Sequence, residues 1–189
     1  MKSKTFKEYV APILVLVGIC LVITFALAET YSVAKPIIDE NTIKSANEAR
    51  AELLPAADTF TAYDGDLVVE EEDKVFVTEC YIADNGSGMV ITVQTKSFGG
   101  LLTEMIGIDE KGAITGVKVT AHADTPGLGT KAHDPGHVAQ YQGLTELTAT
   151  SAKDDSAVNH ISGATISSNA VHYGVYAALD QYKKVGGAN

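Results

Sequence analysis

Residues 75–96 read VFVTECYIADNGSGMVITVQTK, and this stretch decides the fold class. Two runs rich in β-branched and aromatic residues, Val75 to Ile82 and Met89 to Lys96, flank the turn-forming segment Asp84-Asn85-Gly86-Ser87-Gly88. Side chains of a strand point alternately to its two faces, and the second run alternates in this way. The stretch therefore predicts an antiparallel β-hairpin.

A second hairpin is predicted directly after the first. Phe98-Gly99-Gly100 interrupts the strand pattern, which resumes from Leu101 to Ile108. The turn Asp109-Glu110-Lys111-Gly112 then leads into another strand, Ala113 to Thr120. With a closing helix from about Asn169 to Lys184, the fold class is α+β with an antiparallel sheet and flanking helices.

The N-terminal part of the chain predicts a membrane anchor. No charged residue occurs from Val10 to Ala28, a run that would form a helix of about 28 Å, close to the thickness of a bilayer core. Lys2, Lys4 and Lys7 precede the run, which places the N-terminus in the cytoplasm and the bulk of the chain outside. The alternative is a cleaved signal peptide, because Ala26-Leu27-Ala28 resembles a cleavage site. Either segment would export the domain.

These patterns divide the chain into four parts. Residues 1–8 are a cytoplasmic tail, and residues 9–28 are a single transmembrane helix. Residues 29–74 contain an amphipathic juxtamembrane helix between Pro36 and Pro55, followed by a polar connector. The folded domain occupies residues 75–184. The net charge of −10 argues against a nucleic-acid partner.

The loop Ile161-Ser162-Gly163-Ala164-Thr165-Ile166-Ser167-Ser168 is the most informative candidate site. It runs into the closing helix, with Ser167 or Ser168 as the expected N-cap, and a helix N-terminus attracts anions such as phosphate. The loop is neither a P-loop nor a nucleophile elbow. On pattern alone, a loop that only caps its helix is the competing interpretation.

Ser162-Gly163-Ala164-Thr165-Ile166-Ser167 resembles the S-G-A-T-x-S/T acceptor motif of an FMN-binding domain. This domain is shared by the G subunit of Rnf complexes and the C subunit of sodium-translocating NADH:quinone reductase. Upstream, Asp124-Thr125-Pro126-Gly127-Leu128-Gly129 is similar to the family segment Glu-Thr-Pro-Gly-x-Gly, and Phe98-Gly99-Gly100 to its Gly-Gly strand. The resemblance covers about Val75 to Lys184. It departs at Asn159 and at Asp124, where Asp and Glu respectively are usual.

The resemblance implies a specific role for each matching residue. The hydroxyl of Thr165 would carry FMN through a phosphoester that a separate magnesium-dependent flavin transferase installs. Around the phosphate the family places Ser162, Gly163, Ala164 and Ser167. Near the flavin it places Thr125, Gly127 and Leu128. No residue of the chain would be catalytic by itself.

The resemblance also implies a function. An Rnf G subunit is an electron-transfer subunit of a membrane complex that couples electron transfer between ferredoxin and NAD to Na⁺ or H⁺ translocation, and the other subunits would be its partners. The alternatives are a C-type subunit of the quinone reductase and an exported ligand-binding or structural domain without flavin. A zinc site is not expected, because Pro135-Gly136 separates His133 from His137 in the chain.

Overall fold

A computed structural model describes residues 9–187, which fall into two compact units, one ending at Ala46 and one beginning at Asn47. The first unit consists mainly of helix α1 (Ala11–Leu53), which has 43 residues. An apolar segment of α1 is long enough to cross a membrane, and no other helix in the described part of the chain has that property. The predicted cytoplasmic tail, residues 1–8, lies outside the described residues.

Helix α1 is longer than the predicted anchor and absorbs the predicted juxtamembrane helix. Pro36 lies inside it without ending it. A proline removes a single backbone hydrogen bond, whereas a helix end leaves up to four carbonyls unpaired, so continuing the helix costs less here. The residues between Pro36 and Leu53 are thus helical, but they are part of α1 and do not form a separate element.

The second unit is built on one antiparallel sheet. Its strands are β1 (Phe60–Ala62), β2 (Val69–Glu71), β3 (Val75–Ala83), β4 (Gly88–Ser97), β5 (Gly100–Asp109) and β6 (Ile114–Ala121). The order is β1-β3-β4-β5-β6, with β2 also paired to β3. Both predicted hairpins are confirmed, β3 with β4 and β5 with β6.

The structure corrects the prediction of a connector before residue 75. It contains β1 and β2, which both pair with β3. Val68 lies in the hydrophobic core, and its carbonyl accepts a hydrogen bond of 2.9 Å from the Val77 N–H. The side-chain pattern does not indicate these two strands, because their pairing depends on backbone groups and the acidic side chains point to solvent.

Two layers cover the sheet. Helix α3 (Thr165–Val185) packs on one face, where Val171, Val175 and Leu179 join the larger apolar cluster. The last turn of α1 packs on the other face through Ala49 and Leu53. Between β6 and α3 lie the short helix α2 (Pro135–Val138) and two turns of 3-10 helix, Gly129–His133 and Ala139–Tyr141.

Helix α3 begins earlier than predicted. Its N-cap is Ala164, which makes no side-chain capping bond, and Thr165 is its first residue. The prediction of Ser167 or Ser168 as N-cap is wrong, because both lie buried within the first turn. Gly163, whose φ is 84°, forms the turn directly before the N-cap Ala164.

Candidate functional site

The N-terminus of α3 presents free hydrogen-bond donors beside a hydroxyl. The N–H groups of Thr165, Ile166 and Ser167 have no acceptor within residues 9–187, as expected for the first turn of a helix without a capping side chain. Thr165 is partly exposed. In the described structure no side chain is hydrogen-bonded to its hydroxyl. The helix end therefore offers free donors to an anion, directly beside this hydroxyl.

This helix end lies on a small apolar cavity, here called the Thr165 cavity. Its volume is about 290 Å³, and three segments line it: the β4–β5 turn, the loop after β6 and the start of α3. The lining residues are Phe98, Thr125, Leu128, Gly129, Gly163, Ala164, Thr165, Ile166 and Ser167. Residues distant in the sequence thus meet at one site.

Six of the eight residues predicted for the site line this cavity. They are Thr125, Leu128, Gly163, Ala164, Thr165 and Ser167. Ser162 and Gly127 are exposed and do not line it. The structure adds Phe98, Gly129 and Ile166. All three occur inside the quoted motifs, so their sequence signal was present, but periodicity could not tell which of these residues face the cavity.

Asp124 holds the three segments together. Its carboxylate accepts hydrogen bonds from Ser97 Oγ at 2.5 Å and the Gly99 N–H at 2.8 Å, both at the β4–β5 turn. It also lies 2.8 Å from His133 Nε2. Burial alone would raise the pKa of Asp124, but the hydrogen bonds from Ser97, Gly99, His133 and Ser167 outweigh it and hold that pKa below its ordinary value. The carboxylate is therefore buried and ionised.

Two glycines permit this close assembly. A Cβ atom at Gly99 would lie 2.0 Å from the carbonyl oxygen of Ala123, so only glycine lets the β4–β5 turn approach the loop. A Cβ at Gly129 would lie 2.9 Å from both Asp124 Cβ and Ser167 Oγ. Gly129 therefore brings the loop against the first turn of α3. Residues 9–187 contain no group of three or more His, Cys, Asp or Glu side chains that could hold a metal ion.

The cavity suits a flavin nucleotide by its chemistry. Apolar side chains of Phe98, Leu128 and Ile166, which are 70%, 47% and 55% exposed, surround it and offer contacts to a flat aromatic ring. The unpaired N–H groups of α3 lie at one side and match a phosphate. Apolar contact and anion binding are thus offered by the same site.

The class of protein follows from this fold and site together with a family match. Residues 98–180 match the family described as FMN-binding domain, and they include all nine lining residues of the Thr165 cavity. The match thus lies within the second unit and covers the part of it that forms the Thr165 cavity.

Several curated proteins are similar over nearly the whole chain. The G subunit of the ion-translocating oxidoreductase complex of Methanosarcina acetivorans is 30% identical, covering 92% of this chain and 94% of that protein. The G subunit of the Na⁺-translocating ferredoxin:NAD⁺ oxidoreductase complex of Acetobacterium woodii is 31% identical, with coverages of 91% and 90%. The proton-translocating counterpart of Clostridium ljungdahlii is 25% identical, with coverages of 86% and 85%. This chain belongs to the family of G subunits of Rnf ion-translocating oxidoreductase complexes.

Proposed function

We propose that this protein is an electron-carrying subunit of a membrane Rnf complex and that it holds FMN covalently through Thr165. The complex would couple electron transfer between ferredoxin and NAD to the translocation of Na⁺ or H⁺. One similar G subunit is named for a Na⁺-translocating complex and another for a proton-translocating complex. These names support ion translocation as the class of reaction, and either ion is compatible with them.

One observation carries the proposal. The partly exposed hydroxyl of Thr165 lies at the first residue of α3, next to donors that have no other acceptor, and it lines an apolar cavity. A loop that only capped its helix would use a side-chain oxygen to pair those N–H groups, and here no side chain does so. The free donors favour a phosphate ligand over simple capping.

The chain's residues would bind and orient the cofactor. The N–H groups of Thr165, Ile166 and Ser167 would neutralise phosphate charge through the positive end of the α3 dipole. Phe98, Leu128 and Ile166 would pack on part of the ring system and cover that part from water. When bound, a flavin accepts and donates electrons, and the protein supplies its position and electrostatic surroundings.

The covalent step requires an activated flavin. A bond would form between Thr165 Oγ1 and the phosphorus of the flavin nucleotide, and the hydroxyl proton would pass to a base of the transferase. Such a transfer needs a flavin donor with a phosphoanhydride bond, which breaks and releases a nucleoside monophosphate. A covalent bond also removes the need for tight reversible binding by a protein of net charge −10, which repels a phosphate monoester.

The membrane arrangement forms part of the proposal. Residues 1–8 would be the cytoplasmic tail, residues 9–28 the transmembrane segment, residues 29–74 the juxtamembrane part, and residues 75–184 the FMN-binding domain outside the cytoplasm. Lys2, Lys4 and Lys7 support this orientation. In intact cells or spheroplasts, a Glu146→Cys variant of the exposed Glu146 should react with a membrane-impermeant maleimide. If labelling occurred only after the membrane was permeabilised, residue 146 would lie on the cytoplasmic side, contrary to the proposed orientation.

The flavin link is tested by coexpressing the full chain with a flavin transferase. We expect flavin fluorescence that survives acid denaturation and a mass increment of FMN on the peptide that contains Thr165. Thr165→Val should abolish both signals, because it keeps the shape of the side chain and removes the oxygen that forms the ester. Thr145→Val, at an exposed position away from the cavity, is the matched control and should keep full labelling. A colourless wild-type protein, made beside another flavinylated protein of the same cell, would favour a domain without flavin.

A further inference from the structure

A second and larger cavity lies against β6, and we call it the β6 cavity. Its volume is about 700 Å³. One side is formed by β6, and the other by the segment from Thr130 to Gln142. His133 lines it together with His122, and the centroids of the two imidazole rings are 4.6 Å apart. The proposed electron-carrier function gives this cavity no role.

His133 is buried but keeps one ring nitrogen without a partner. Only 4% of its side chain is exposed, and no hydrogen-bond partner of Nδ1 occurs in the described structure. Its Nε2 lies 2.8 Å from Asp124 Oδ2. Because Asp124 is ionised and can only accept, Nε2 carries the ring proton, and Nδ1 is the unprotonated nitrogen. Nδ1 is therefore the atom at which this ring can gain a proton.

The Asp124–His133 pair lies directly behind the wall of the Thr165 cavity. Gly129 and Ser167 form that part of the wall, and a Cβ at Gly129 would lie 2.9 Å from Asp124 Cβ. A charge that changes in the Thr165 cavity therefore acts on His133 across one layer of protein. Electrostatic interaction through protein is stronger than through water.

We propose that His133 gains a proton at Nδ1 when a flavin in the Thr165 cavity is reduced and loses it when the flavin is reoxidised. The proposal rests on the proposed function. An electron from a one-electron donor would add negative charge to the flavin and raise the affinity of Nδ1 for a proton from water, so that near the His133 midpoint the added charge is partly compensated on the other side of Asp124. On reoxidation the electron leaves to the acceptor, and the proton returns to water.

Several other charged groups face His133. Asp124 and His122 lie on the loop after β6, and Asp134 follows His133 in the chain. Lys118 of β6 and Glu52 of α1 line the same cavity and form an ion pair with each other. A group whose charge is the same with oxidised and with reduced flavin does not contribute to the difference in the His133 pKa between these two states. His122 is a second imidazole, with its ring 4.6 Å from that of His133, so its replacement is a necessary control.

The expected effect of flavin reduction is a shift in the pKa of His133. Burial is the main reason why the pKa of His133 lies below its ordinary value, and the neighbouring Asp124 opposes this. One added negative charge roughly 10 Å away should raise the pKa by about one unit at an effective dielectric constant of about 20.

The test is a pH titration of the flavinylated full chain in detergent, with isotope-labelled histidine followed by NMR. His133→Gln identifies the His133 signal, and the titration itself uses the wild-type side chain. We expect the His133 midpoint to lie about one pH unit higher after anaerobic reduction with dithionite than in the oxidised protein. The shift should persist in His122→Gln.

Two results would overturn the proposal. Equal His133 midpoints in the oxidised and reduced proteins would show that the ring does not respond to the flavin, while leaving the flavin proposal intact. A protein without flavin on Thr165 would remove the proposed function and this inference with it. As an independent readout, the flavin midpoint potential should depend less steeply on pH in His133→Gln than in the wild type.

Discussion

Asp124 and Glu104 are both buried, at 4% and 0% exposed, but they differ in the hydrogen-bond donors around their carboxyl groups. Asp124 lies at the corner where the β4–β5 turn, the loop after β6 and α3 meet, and it accepts hydrogen bonds from several donors. Glu104 lies on β5 beneath α3, and within residues 9–187 neither of its oxygens has a partner. The pKa of Asp124 is lowered, whereas that of Glu104 is raised well above its ordinary value by burial.

The comparison shows that hydrogen bonding, and not burial by itself, decides the charge of these groups. A carboxylate that accepts several N–H and O–H bonds stays ionised, while one without donors stays protonated. Gly174 leaves room for Glu104 under α3, since a Cβ there would lie 1.6 Å from Glu104 Oε1 in its present position. The paired carboxylate organises the site, and the unpaired carboxyl lowers stability.

Removing the paired carboxylate should have the largest effect. Asp124→Ala leaves the buried donors of Ser97, Gly99 and His133 without an acceptor, and we expect the free energy of unfolding to fall by about 3–5 kcal/mol. Urea denaturation in detergent, followed by near-ultraviolet circular dichroism, measures it. Asp154→Ala removes an exposed carboxylate and should change the free energy by less than about 0.5 kcal/mol.

The pH dependence of the free energy of unfolding provides a second test of the role of Asp124. Because the pKa of Asp124 is lowered on folding, its stabilisation is present above the ordinary value of 3.8 and is lost as the pH falls through the folded pKa. The difference between wild type and Asp124→Ala should therefore narrow below about pH 4. A difference that stays constant down to pH 2 would mean that Asp124 contributes by packing alone.

Replacing the unpaired carboxyl should have a smaller effect of opposite sign. The pKa of Glu104 is raised on folding, so stability is fully present below its ordinary value of 4.5 and is lost as the pH rises toward the folded pKa. Glu104→Gln does not titrate, and we expect it to be about 1–2 kcal/mol more stable than wild type at pH 7.5. Near pH 4 the two proteins should be equally stable in the same assay.

The matched control for Glu104 is Glu72→Gln, a change at an exposed side chain. It should change the free energy of unfolding by less than about 0.5 kcal/mol, because both side chains stay in water. A destabilised Glu104→Gln at pH 7.5 would mean that the carboxyl has found donors, contrary to its present surroundings.

The sheet was largely predictable from the sequence, because β3 to β6 carry the alternation and turn residues that local physics requires. The short strands β1 and β2 were not, since they are held by pairing to β3 and their own side chains carry little pattern. Glu104 was also hidden. A glutamate in a strand usually faces solvent, and only the packing of α3 shows that this one does not.

The candidate site was predictable as a set of segments but not as a geometry. The motifs located Thr165, Thr125 and Leu128, which meet at the cavity as expected. The hydrogen bond between Asp124 and Ser97 could not be predicted from local sequence, because these residues are far apart in the chain and meet only after the sheet has formed. The start of α3 was misplaced for a related reason. Ser167, which looks like a cap, is directed to Asp124 instead.

The small size of the Thr165 cavity has a consequence for electron flow. A space of about 290 Å³ is at the lower end for ligand pockets, so a tethered flavin would keep part of its ring at the surface. An uncovered edge allows rapid exchange with a neighbouring redox centre by close approach, without a lid that must open first. The same exposure leaves the reduced ring open to dioxygen, so such a carrier should lose electrons in air once it is separated from its neighbours.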